Sequence, residues 1–170
     1  MMLFIIGLLI FVPMLVEAAR ARRNERAQKA RGGLEPADDV YNVMRIVYPA
    51  AFLAMLAEGA ARGPGAAAIV VTGLAIFTAA KIIKWSAIVA LGRCWTFRVI
   101  VVPGDRLVAS GPYRCLRHPN YVGVIGELIG AALMTRALVT GPVAVIVFAV
   151  LLYNRIAVEE RALRGAKMVR

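Results

Sequence analysis

The sequence predicts an all-α integral membrane protein of about five membrane helices. The last two form a short helical hairpin, and a polar loop and the C-terminal tail gather on one side of the bilayer. Three observations carry this reading. Hydrophobic residues make up 61% of the 170-residue chain and its mean hydropathy is +0.72, above the composition of a soluble domain, which is about half apolar. Apolar runs near the ~20 residues needed to cross a bilayer recur along the chain. The net charge of +11, from 21 Lys and Arg against 10 Asp and Glu, is sorted among the polar connections, as membrane topology requires. The length suits a single domain. The basic excess does not point to nucleic acid, because no basic helix interleaved with aromatics and no soluble domain is present to carry one.

The first apolar run is MMLFIIGLLIFVPMLVEAA, residues 1–19. Its positive charges follow it rather than precede it, the reverse of a secretory signal, so it reads as an uncleaved first helix with its N-terminus outside. Residues 20–40 (RARRNERAQKARGGLEPADDV) mix signs around Gly32-Gly33 and Pro36 and read as a solvated loop with a short surface helix. A second apolar segment spans about 41–61, interrupted by Arg45 and Pro49. A third follows Gly63-Pro64-Gly65 and runs to Leu91. Its span proper is placed at 66–84, and its second half holds Lys81, Lys84 and Trp85, which read either as interfacial snorkelling and anchoring groups or as the lining of a polar pocket. Residues 92–121 are polar and rich in turns. Segments 122–136 and 138–157 are separated by Arg136 and the Thr140-Gly141-Pro142 break. The first of these is only about 22 Å long as a helix, short of the ~30 Å hydrocarbon core.

Charge selects one orientation. With the N-terminus outside, the inner side receives six Lys/Arg in 20–40, five in 92–121 and five in the tail (Arg155, Arg161, Arg164, Lys167, Arg170), while the outer side receives Arg62 and Arg136. This is the positive-inside pattern. It locates the chain in the cell (inner) membrane with the 92–121 loop and the C-terminus facing the cytoplasm, where Cys94 and Cys115 are expected as reduced thiols. With one histidine, His118, and two cysteines, a metal centre is not expected.

The stretch SGPYRCLRHPNY, residues 110–121, sets polar groups into a bent backbone. Its prolines stop regular helix, and irregular polar backbone at a membrane is tolerated where it lines a cavity. Arg117 offers forked donors for a carboxylate, His118 donates or accepts, and Tyr113 and Tyr121 supply rings with polar tips. The tail begins NRIAVEERALR, where Arg155 and Glu159 fall one turn apart if the helix continues and Glu160 points about 100° away from Glu159. Glu159 can pair with Arg155 as an ordinary helix-end ion pair, or these acids can face a ligand. Glu127 lies six residues into an apolar segment, and an ionisable group there usually faces a partner or cavity; Arg117, His118 or a ligand ammonium are its candidates. Gly123, Gly126 and Gly130 permit close helix approach or leave room for a ligand. Taken together, basic groups on one side and acidic groups on the other suit a small zwitterion.

The order LVASGPYRCLRHPNYVGVIGE, an apolar hairpin, then RIAVEERAL resembles the C-terminal core of the isoprenylcysteine carboxyl methyltransferase family, a core shared with related membrane phospholipid methyltransferases. The likeness is confined to about 91–163. It divides the chain into N-terminal membrane helices, 1–90, and a methyltransferase core, 91–170. The resemblance implies an enzyme that uses S-adenosylmethionine to O-methylate a lipophilic or prenylated substrate entering from the bilayer, with membrane lipids around it and no nucleic-acid partner. It implies that Tyr113, Arg117, His118, Pro119 and Tyr121 line the cofactor site and that Glu159 and Glu160 bind the cofactor's polar groups. Glu127, from its own apolar position with a ligand ammonium as a candidate partner, is counted with the cofactor-binding residues. Arg155 and His118 become the catalytic candidates, Arg155 holding an acidic substrate group. Many relatives carry a histidine where this chain has Asp105-Arg106, so His118 is the one imidazole left to act as a base. The chemistry of displacement then leans towards an acceptor that is already acidic, such as a carboxylate or an enol. Two other readings stand beside this one: an NADPH-dependent membrane reductase of sterol type, and a small accessory membrane protein without catalysis.

Overall fold

A computed structural model describes residues 1–165; Lys167 and Arg170, counted in the charge sorting, lie outside the described residues. The fold is five helices: α1 (Met2–Ala30), α2 (Tyr41–Arg62), α3 (Ala67–Leu91), α4 (Pro119–Thr135) and α5 (Thr140–Gly165). Short 3-10 turns at Gly92–Cys94 and Gly111–Arg114 punctuate the long connection between α3 and α4. Among the described residues the extended structure is a single antiparallel bridge, Leu34 with Val101. Helices α1, α2, α3 and α5 are each long and apolar enough to cross a membrane. Helix α4, with 17 residues, falls short of the ~20 that a span requires. The described residues therefore form an all-α membrane fold with five helices and four candidate spans, rather than five full spans.

Helix α1 departs from the loop expected over 20–40. It continues without a break to Ala30, because Arg, Ala, Glu, Gln and Lys are good helix formers, and Gly32, at φ +81°, provides the left-handed turn that follows. Its inner face is buried at Ala21, Asn24 and Gln28. Asn24 Nδ2 donates to the carbonyls of Gly92 (3.0 Å) and Trp95 (2.7 Å), and Gln28 Nε2 donates to that of Arg93 (2.8 Å). These amides satisfy carbonyls exposed where α3 ends.

Helices α3 and α4 form the most extensive helix pair, through small residues. A Cβ on Gly123 would lie 2.7 Å from the Lys84 Cβ, one on Gly126 2.7 Å from the Ala80 Cβ, and one on Gly130 2.7 Å from the Phe77 Cβ and the Gly73 carbonyl oxygen. All three glycines are consumed by packing, so the alternative of room for a ligand does not apply to them.

That close approach brings together a ring of buried charge. Lys81 Nζ lies 3.0 Å from Glu17 Oε1 and 3.1 Å from Glu127 Oε2. Lys84 Nζ lies 2.7 Å from Glu17 Oε2 and 3.3 Å from Glu127 Oε1. Tyr48 Oη donates to Glu127 Oε2 at 2.7 Å. Glu17, Lys84 and Glu127 are 1–3% exposed. The lysines therefore turn inward instead of snorkelling, and Glu127 is paired with them rather than with Arg117 or His118. Two acids and two bases alternate, so the ring is neutral and ties α1, α2, α3 and α4 together. Below it an apolar core of Ile10, Phe52, Met55, Phe77, Leu128 and Phe148 fills the bundle.

Removing one member exposes the logic. Lys84→Met leaves two buried carboxylates sharing one ammonium and is expected to cost about 3–5 kcal/mol. Adding Glu17→Gln restores neutrality, so the double variant is expected to unfold at a higher temperature than Lys84→Met alone, as thermal unfolding in detergent would measure.

Candidate functional site

Residues of α1, α2, the α3–α4 connection and α5 line an open cleft of about 1470 Å³ at one end of the bundle, and the connection 31–40 packs beside it. Three acids of the 31–40 connection clasp it to its neighbours. Glu35 pairs with Lys29 (2.7 Å) and with Arg98, Asp38 with Arg161 (2.5 Å), and Asp39 with Arg155 (2.8 Å). Asp105 pairs with Arg31 at 2.6 Å and so joins the same clasp. Burial pushes the Glu35 carboxyl up, but the hydrogen bonds from Lys29 and Arg98 outweigh it and hold the group below its ordinary value. That part of the clasp is thus intact above the usual carboxylate range and is lost as pH falls through the lowered value.

At the centre of the cleft wall stands Arg155. Its Nη1 donates to Asp39 Oδ1 (2.8 Å), its Nε to Tyr121 Oη (3.1 Å) and its Nη2 to the Phe97 carbonyl. The remaining oxygen of Asp39 accepts from the Val99 amide at 2.8 Å, and Oδ1 also accepts from the Tyr41 amide at 3.1 Å. Tyr121 Oη donates to Glu159 Oε2 at 2.7 Å. The His118 ring stacks on Tyr121, with centroids 5.4 Å apart and planes within 12°, and its Nδ1 lies 3.9 Å from Glu159 Oε2. The pair expected between Arg155 and Glu159 is thus replaced by a chain running Asp39, Arg155, Tyr121, Glu159, His118. Helix α5 continues to Gly165, and that places Arg155 and Glu159 on the same side while Tyr121 intervenes.

Local sequence explains the positions. His118 is the N-cap of α4 and Pro119 its first residue, where a missing N–H costs nothing. The fully buried Pro119 aims Asn120 and Tyr121 into the cleft. Tyr113, on the 3-10 turn, is half-buried. Burial first, and then the charge of Glu159, push its phenol well above the ordinary value, so it stays neutral at physiological pH.

Of the residues singled out in sequence, Tyr113, Arg117, His118, Tyr121, Arg155, Glu159 and Glu160 share the lining of this cleft. Pro119 supports it from beneath. Glu127 does not line it; its carboxylate is committed to the buried ring. Glu160 is bridged to Arg164 (3.5 Å) near the surface. Cys94 and Cys115 are free and exposed, and among the described residues no cluster of ligands could hold a metal. Asp39 and Glu17 carried no functional reading in sequence. The Asp38-Asp39 pair gave the one available signal, two adjacent acids at a helix entrance.

Because Asp39 holds Arg155 and two backbone amides, Asp39→Ala is expected to speed hydrogen exchange at the Val99 and Tyr41 amides by tenfold or more, with little change in the centre of α3, as read by exchange mass spectrometry.

Comparison with known proteins adds the family. The model of the isoprenylcysteine carboxyl methyltransferase (ICMT) family matches residues 71–165. The chain is 32% identical over 163 residues to the uncharacterized protein YpbQ of Bacillus subtilis, covering 96% of this chain and 97% of that one. It is 30% identical over 98 residues to protein-S-isoprenylcysteine O-methyltransferase B of Arabidopsis thaliana, covering 54% of this chain and 48% of that protein, so it spans about half the length of that plant relative. No solved structure matches. The matched segment runs from α3 through the cleft loop to the end of α5 and makes up more than half of the sequence. The chain belongs to the isoprenylcysteine carboxyl methyltransferase family.

Proposed function

We propose that the chain is an integral membrane O-methyltransferase that uses S-adenosylmethionine and acts on a lipophilic acceptor. Family membership supports a membrane methyltransferase. The observation that carries the finer reading is the donor set of the cleft: Arg117 and His118, Glu159 and Glu160, and the rings of Tyr113 and Tyr121. This set fits the amino-acid end of the cofactor, with guanidinium and imidazole for its carboxylate and the glutamates for its ammonium and hydroxyls. When bound, S-adenosylmethionine supplies a sulfonium methyl group to a nucleophilic oxygen.

The residues of the chain do the rest. Arg155 holds the acidic group of the acceptor with those of its N–H donors not already taken by Asp39, Tyr121 and Phe97. Tyr121, bonded to both Arg155 and Glu159, couples the acceptor side to the cofactor side. His118 is available to take a proton where the acceptor oxygen carries one. Val124, Phe148 and Leu152 form an apolar inner wall that keeps out water and receives the acceptor's tail. A prenylated cysteine carboxylate, the group in the plant relatives' names, meets these requirements; so do other lipid acids, phenols and pyrones. The charge sorting supports a cleft that faces the cytoplasm from the inner membrane, with the N-terminus outside.

Calorimetry of the purified chain in detergent tests the reading. S-adenosylmethionine is expected to bind, and Glu159→Gln or His118→Ala to weaken binding about tenfold or more, the loss of one charge-assisted hydrogen bond. Absence of binding by the wild type, or binding of NADPH in its place, would sink it.

A further inference from the structure

Helix α1 offers the cleft one face. Met14, Ala18, Arg22 and Glu25 line it at the three- and four-residue spacing that puts side chains on a single side of a helix. The lower part of this face is apolar and the upper part is polar. Gln28, next along it, is already committed to the Arg93 carbonyl and to Arg31. Glu25 is therefore the carboxylate that α1 adds to the polar end of the cleft.

Glu25 differs from the other acids of the cleft wall. Glu17 is held by Lys81 and Lys84, Asp105 by Arg31 and Glu160 by Arg164. Glu159 receives the Tyr121 hydroxyl and lies 3.9 Å from His118 Nδ1. Among the described residues Glu25 joins no ion pair; its Oε1 accepts the Phe97 amide at 3.3 Å. A carboxylate has about four lone-pair sites, so most of its capacity to accept is unused. The same bond sets the carboxylate beside an aromatic wall. The Phe97 ring lies 6.2 Å from that of Tyr41 with the planes within 28°, and both residues are half-buried and line the cleft. This corner already holds a cation: Arg98, committed to Glu35, lies over the Tyr41 ring at 4.9 Å. A ligand cation gains little beside it. A neutral unit with hydroxyl donors and a flat ring finds there an acceptor and a stacking surface.

We infer that the α1 side of the cleft is a nucleoside subsite, in which Glu25 accepts both hydroxyls of the cofactor's ribose and the Tyr41 and Phe97 rings receive its purine. The inference rests on the methyltransferase reading and deepens it. The carboxylates divide by wall: Glu159 and Glu160 on α5 serve the ammonium, and Glu25 on α1 serves the sugar. Two neighbouring hydroxyls that donate to one carboxylate make short, charge-assisted bonds, and each bond is lost with its hydroxyl. Glu25 and Tyr41 both lie outside the 71–165 segment that the family model matches. The N-terminal helices thus complete a site whose other donors come from the matched segment.

Calorimetry of the full chain in detergent tests the subsite with three probes: S-adenosylhomocysteine and its 2′-deoxy and 3′-deoxy analogues. The wild type is expected to bind each deoxy analogue about tenfold more weakly than S-adenosylhomocysteine, the loss of one hydrogen bond to a charged group. Glu25→Gln keeps an oxygen for the Phe97 amide and removes the charge. It is expected to weaken S-adenosylhomocysteine about tenfold and to narrow the preference over both analogues to about threefold or less, a coupling that isolates the contact from any general loss of structure. Glu159→Gln should weaken all three probes alike and leave the preference intact. A wild type that binds S-adenosylhomocysteine without preferring it to the deoxy analogues, or a preference undiminished in Glu25→Gln, would overturn the subsite and leave the methyltransferase reading standing. A wild type that binds none of the three removes both.

Discussion

The arrangement of this protein depends on a four-membered ring of charge inside the bundle. Helices in a bilayer gain nothing from the hydrophobic effect by touching one another, so specific packing and polar contacts must choose their partners. Here Glu17, Lys81, Glu127 and Lys84 alternate in sign and are contributed by three helices, with Tyr48 adding a fourth. An isolated charge at that depth is costly, and each member removes that cost only if every other is in place. Wrong helix pairings leave a carboxylate or ammonium bare, which makes the ring a source of specificity more than of net stability.

The ring also sets where the cleft can be. By holding Glu17 of α1 against Lys84 of α3 it fixes the first three helices, and the glycines of α4 let that short helix lie flat on α3. The start of α4 then points Tyr121 and His118 at α5, where Arg155 and Glu159 wait one turn apart. Asp39 holds Arg155 in place from the 31–40 connection. The polar cleft and the apolar wall beneath it are consequences of these anchor points, and Glu17 and Lys84 themselves form part of its floor.

Much of this was legible in the sequence. The spans followed from hydropathy, and the loop SGPYRCLRHPNY with the NRIAVEERALR tail carried the residues that share the cleft. Three features were not readable, each for a physical reason. The partners of Lys81 and Lys84 are far away along the chain, 64 residues between Lys81 and Glu17 and 43 between Lys84 and Glu127, and local periodicity holds no information about such pairs. The polar run after Ala19 looked like a loop because its charges face outward, yet its residues favour helix and its inner side meets the carbonyls at the end of α3. Asp39 stood in a mixed-charge connection where any acid reads as solvated, and only the fold brings Arg155 to it from 116 residues away.

Membership in the family supports a membrane methyltransferase, and the reading proposed above adds a lipophilic acceptor. The most direct measurement is to incubate membranes carrying the full chain with S-adenosylmethionine tritiated in its methyl group and to extract them with organic solvent. The account predicts label in the lipid extract that requires the wild-type chain and is lost with Arg155→Ala. An extract without chain-dependent label, from membranes in which the folded protein is present, would contradict it.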